Sequence, residues 1–81
     1  MNTVKVINET AEEVQISYAK GNGYNQSTMA QQGLIWKLID ERSIEVMSKN
    51  ALQKIDKKDA SELITIILAT PKEKKIKLIK K

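Results

Sequence analysis

The sequence predicts an α+β fold: an N-terminal β-hairpin followed by about three helices, with a short C-terminal strand as the closing option. Three observations carry this expectation. Apolar and polar residues alternate near the N-terminus, apolar residues recur every three or four positions through the middle, and alternation returns in the last residues. Eighty-one residues make one domain. A chain of this length buries only about 60–65% of its unfolded surface, so its core is thin. It contains no cysteine and no histidine. Aliphatic side chains must therefore hold it together without a disulfide or a histidine-bound metal.

Residues 1–20 read as the hairpin. Val4 and Val6 alternate with Thr3 and Lys5, and Val14, Ile16 and Tyr18 alternate with Gln15 and Ser17. The connection "NETAE" has a turn-prone asparagine but no glycine, and a helix through residues 10–17 is the competing reading. Residues 21–27 follow as a loop, because two glycines and two asparagines in "KGNGYNQS" tolerate positive φ. The spacing is wrong for a P-loop and no Gly-Lys-Ser/Thr follows, so a flexible connection is expected over a phosphate-cradling loop.

Residues 28–69 form the helical part. Ser27 or Thr28 caps a first helix whose face is Ala30, Leu34, Ile35, Leu38 and Ile39, with Trp36 off the stripe. Gly33 inside it costs about 1 kcal/mol relative to alanine and suggests close approach of another element. In "SIEVMSKNALQKID", Ser43 is a candidate cap, and Ile44, Met47, Ala51 and Ile55 step by three and four. This segment reads as one irregular helix or as a short helix and a loop. Asp56 caps the last helix by accepting from the Asp59 amide, and Ala60, Leu63, Ile64, Ile67 and Leu68 form its buried stripe. Ile66 lies off the centre of that stripe, and Pro71 ends the helix. Residues 71–81 are a basic tail or an edge strand, with Ile76 and Leu78 opposite Lys75 and Lys77.

The charge is uneven. Residues 71–81 hold six lysines and one glutamate, net +5, whereas residues 1–70 hold eight basic residues and nine acids, net −1. An electrostatic partner is therefore expected at Lys72, Lys74, Lys75, Lys77, Lys80 and Lys81. Nucleic acid is the partner such a lysine run suits, single-stranded DNA first, with Tyr18, Tyr24 and Trp36 the available stacking residues. Lysines of this kind also serve solubility and edge protection. A second class of partner is a protein. Trp36, Ile66, Val46 and Ile79 left outside a small core would make an apolar patch or a homodimer face, with Tyr24 as a further contact.

Catalysis is not expected. General acid–base and nucleophilic chemistry most often use histidine or cysteine, and neither is present. No spacing singles out a Ser–Lys pair, and the acidic pairs Glu12–Glu13, Asp40–Glu41 and Asp56–Asp59 lack an oxygen-rich loop to make them a cation site. The expectation is no enzyme, no cofactor and no metal. Asp59, Glu62 and Ile66 in the last helix are poorly suited to a DNA-reading helix, because acids repel phosphates and isoleucine reads little in a groove. No window holds the roughly 18 apolar residues of a membrane helix, and the first residues lack a signal-peptide pattern, so a cytoplasmic protein with no membrane partner is expected.

Thr28, Gln31, Leu34, Ile35 and Leu38, followed by Lys58, Ala60, Ser61, Leu63 and Ile64, resemble the helical module Thr-x-x-Gln … Lys-x-Ala-Ser-x-Leu-Ile. That module occurs in phage single-strand annealing proteins of the RecT and Sak kinds and in small standalone phage relatives. The span covers about half the chain. Only 27 residues precede it, so the annealing core is not expected here and annealing activity is not carried over. The resemblance implies a phage or mobile-element accessory acting near DNA processing. The function expected is thus non-catalytic nucleic-acid binding through the lysine-rich C-terminus. The alternative is a protein-interaction module, such as a phage-encoded modulator or inhibitor of a host protein.

Overall fold

The computed structural model describes residues 4–19 and 25–80. The N-terminal alternation becomes a hairpin of β1 (Lys5–Glu9) and β2 (Glu13–Tyr18), paired antiparallel. Its turn needs no glycine because Thr10 organises it. The Thr10 hydroxyl accepts from the Glu13 amide at 3.0 Å and the Glu12 amide at 3.3 Å. Val14, Ile16 and Tyr18 are buried, as is Val4. Val6, opposite Ile16, is exposed instead of joining Val4, since β1 is an edge strand.

The lysine-rich C-terminal segment is the expected closing strand and joins the hairpin through β2, but it is neither a tail nor at the edge of the sheet. It forms β4 (Lys75–Lys80), which lies inside a four-stranded sheet of order β1-β2-β4-β3. β4 pairs parallel with β2 along its whole length and parallel with the two-residue β3 (Glu45–Val46) on its other side. Ile76 and Leu78 are buried beside Val14 and Ile16. Burying a large aliphatic side chain contributes about 1.5–3 kcal/mol, so this strand is a main support of the core. β3 occupies residues expected to be helical, because Ile44 and Val46 satisfy strand alternation as well as helical stepping.

Parallel neighbours cannot be joined by a tight turn, so the chain crosses over between them. The first crossover carries α1 (Met29–Arg42) and the second carries α2 (Lys49–Gln53) and α3 (Lys57–Ala69). α1 opens with a capping box. The Thr28 hydroxyl accepts from the Gln31 amide at 3.1 Å, and the Gln31 side chain accepts from the Thr28 amide at 2.9 Å. Ser43 does not cap the following helix. It ends α1 in the left-handed region at φ 51°, its amide turned back to the Ile39 and Asp40 carbonyls. Ser48 caps α2, and Asp56 caps α3 by accepting from the Lys58 amide, one residue earlier than Asp59.

The helices cover one face of the sheet. Ile35, Leu38, Leu52, Ile55, Ala60, Leu63 and Ile67 join Val14, Ile16, Tyr18, Ile76 and Leu78 in one cluster. The buried side of α1 keeps Ile35, Leu38 and Ile39 of the expected stripe, but Trp36 also packs against the core, whereas Ala30 and Leu34 are exposed. Leu68 is likewise exposed rather than part of the α3 stripe. Gly33 permits no close approach, since a Cβ there would meet nothing within 4 Å.

Long side chains lock α1 and α3 side by side and parallel. At their C-terminal ends, Arg42 donates to the Ile67 carbonyl at 2.5 Å and the Pro71 carbonyl at 2.7 Å. At their N-terminal ends, Gln31 donates to the Lys57 carbonyl at 3.2 Å, and the Lys57 amide to the Asn25 carbonyl at 2.6 Å. Arg42→Met leaves two carbonyls without their charged donor. It should lower stability by about 1–3 kcal/mol, read as a shift of the urea midpoint with unchanged slope; an unshifted midpoint would contradict the assignment.

Tyr18 has its ring in the core, and its hydroxyl donates to the Ser48 carbonyl at 2.6 Å. Burial raises the phenol above its ordinary pKa of 10.0. A proton held longer by the folded chain gives stability that is complete below the unfolded value and lost as pH rises through the folded one. Urea titrations between about pH 8 and about pH 11 should therefore show a steeper loss for the intact chain than for Tyr18→Phe. Parallel losses would show that Tyr18 does not carry the effect.

Candidate nucleic-acid interface

The five described C-terminal lysines do not share one surface. Lys72 is exposed in the turn before β4. Lys74 is mostly covered and pairs with Glu9 at 2.6 Å. Lys75 and Lys77 point to the sheet face away from the helices, opposite in register to Glu13 and Gln15. Lys77 pairs there with Glu45 at 3.6 Å, and Lys75 lies in a shallow cleft with Glu12, Glu13 and Glu73. Lys80, at the far end of the strand, is exposed beside Tyr18, and Lys81 lies outside the described residues. Strand periodicity and neighbouring carboxylates thus divide a run that is continuous in sequence.

The topology collects a different set of lysines. β2, β3 and β4 run parallel and α1 and α3 return against them, so the strand carboxyl ends and the starts of α1 and α3 share one end of the molecule. The Tyr18–Ser48 bond places the start of α2 there too, as does the bond from the Gln32 side chain to the Leu52 carbonyl at 3.0 Å. Lys49, Lys54, Lys57, Lys58 and Lys80 all emerge at this end, all exposed, and none has an ion-pair partner among the described residues. The two nearby acids face inward. Asp56 caps α3, and Asp59 is buried at 4% exposure in its first turn. Asn50 and Gln53, neighbours of these lysines in the chain, and Asn25 and Gln26, just before the start of α1, are exposed as well. The partial positive charges at the starts of α1 and α3 add to the potential. At the opposite end, Lys72, Lys74, Lys75 and Arg42 are interspersed with Glu9, Glu12, Glu13, Asp40, Glu41 and Glu73.

Four of these five lysines were missed in the sequence because they are distributed over residues 49–58 among acids and apolar residues. The legible signal was the pair of inward-facing acids, the capping Asp56 and Asp59 in the first helical turn, which leaves the neighbouring lysines unbalanced.

The residues expected to meet a partner through apolar contact are largely used inside the fold. Trp36 and Ile66 are half-buried against the core, as is Val46. The Trp36 indole donates to the Gln32 side chain at 2.9 Å, and that amide also donates to Ser27 at 2.6 Å. Tyr24 lies outside the described residues. Among the described residues no group of three or more histidine, cysteine or carboxylate side chains is arranged to hold a metal, and no helix is long and apolar enough to cross a membrane.

The Thr-x-x-Gln of the helical module has a defined physical role here as the capping box of α1, while Ala60 and Leu63 of the second half are core residues of α3. Comparison of the chain with protein-family models, curated proteins and solved structures finds no match.

Proposed function

We propose that this protein is a non-catalytic accessory that binds nucleic acid through the basic end of the fold. The observation that carries the reading is the convergence of five exposed lysines, without an ion-pair partner among the described residues, from α2, the α2–α3 junction, the start of α3 and the end of β4. Lysines without carboxylate partners are the ones whose charge a polyanion meets in full, and each phosphate neutralised releases condensed counterions. The absence of histidine and cysteine supports a binding role over a catalytic one. The resemblance to phage annealing-protein modules supplies the context, a phage or mobile-element protein working beside DNA processing in the cytoplasm. The contact set is revised accordingly: Lys80 remains, and Lys49, Lys54, Lys57 and Lys58 replace the lysines at the start of β4.

Truncation at Pro71 cannot test this reading, because it removes an inner strand. Point substitution can. Lys49, Lys54, Lys57 and Lys58 changed together to Gln should weaken binding of a labelled oligonucleotide at least about tenfold at about 50 mM salt, with an unchanged circular-dichroism spectrum. The same change at Lys72, Lys75 and Lys77 should weaken it less than about threefold. A larger loss from the second set would return the interface to the start of β4.

A further inference from the structure

Resting on that reading, we infer that the basic end takes double-stranded nucleic acid by its phosphate backbone, without regard to sequence and in preference to a single strand. This departs from the single-stranded DNA that the lysine-rich sequence suggests, and three features of the fold argue for it.

The first is the placement of the aromatic rings. Proteins that hold single strands without sequence preference stack bases on exposed rings, each worth about 1–3 kcal/mol. Tyr18 is fully buried, with its hydroxyl engaged by Ser48. Trp36 packs on the core with its indole N–H engaged by Gln32. Among the described residues no exposed ring accompanies the lysines.

The second is the use of the only arginine. Bidentate arginine on guanine is the commonest specific contact in the major groove. Arg42 is the single arginine of the chain. It is held at the opposite end of the molecule, with both terminal nitrogens on the carbonyls of Ile67 and Pro71. What the basic end offers is lysine, a point charge on a flexible stem that finds phosphates and does not read base edges.

The third is the arrangement of the charges. Lys80 belongs to the sheet layer, and Lys49, Lys54, Lys57 and Lys58 to the helical layer. The two layers pack face to face through one core. The lysines therefore form a patch two layers deep, not a file along one extended backbone, and such a patch can meet phosphates on both strands. Binding driven by charge alone follows charge density, and a duplex carries one charge per about 1.7 Å of axis, twice that of one strand.

The test compares a labelled duplex of about 20 base pairs with its own single strand, in two unrelated sequences. Fluorescence anisotropy is read from about 50 to about 200 mM salt, with the intact chain and with Tyr24→Ala. The inference expects duplex binding at least about tenfold tighter and the two sequences within about twofold. It expects log K against log salt to fall with a slope of about −4.5, as about 0.9 per contact over five lysines requires. Tyr24→Ala should bind both forms as the intact chain does. Equal or tighter single-strand binding, or a loss on removing Tyr24, overturns the duplex inference while leaving nucleic-acid binding standing. No binding of either form at the lowest salt overturns the underlying reading and the inference with it.

Discussion

The parallel pairing of β4 between β2 and β3 is the constraint from which the rest of the molecule follows. Parallel strands oblige the chain to return across the sheet before each new strand. α1 makes one return and α3 the other, so both helices run in the same sense and finish together at Arg42, Ile67 and Pro71. Their starts then lie together at the strand carboxyl ends, where Gln31 reaches the Lys57 carbonyl. The basic end of the molecule is a consequence of this topology and not of any local run of charge.

Local devices make that topology definite. Neither helix relies on propensity: the capping box at Thr28 and the Asp56 cap satisfy amides at the two starts, while Thr70 donates to the Ile66 carbonyl at 2.7 Å and Arg42 covers the two carbonyls beyond. Arg42 also places a cation at the negative end of α3. In a domain with so thin a core, each of these contributions is a sizeable part of the net stability. The same economy explains why Trp36 and Tyr18 are tied inward by hydrogen bonds rather than displayed.

The α+β class, the hairpin, the two long helices and the closing strand were legible because each leaves a periodic trace of four or more residues. Val14, Ile16 and Tyr18 alternate, as do Ile76 and Leu78, and Leu63 and Ile67 share a helical face. Strand neighbours were not legible, because Ile76 and Leu78 alternate identically in an edge strand and an inner one. β3 was hidden by its length: Ile44 and Val46 fit two periods at once over two paired residues. Ser43 looked like the start of a helix because serine is a common N-cap, whereas here its backbone turns to φ 51° and closes α1. The site was least legible of all. The net +5 of residues 71–81 is a real property of the sequence, but the partners of those lysines, Glu9 and Glu45, come from distant segments that only the sheet brings near. The lysines at 49–58, unpaired among the described residues, are scattered in sequence and come to one end of the fold only when the helix starts converge on the end of β4.

The most direct measurement of the central claim, that the lysine-rich C-terminus is an inner strand, is native-state hydrogen exchange along residues 75–80. If β4 is held between β2 and β3, the amides engaged in this strand should open only with global unfolding, with the same free energy as the protected amides of Val14 and Ile16 in β2. Exchange of residues 75–80 at the rate of an open chain, with β2 still protected, would contradict the topology and the basic end derived from it.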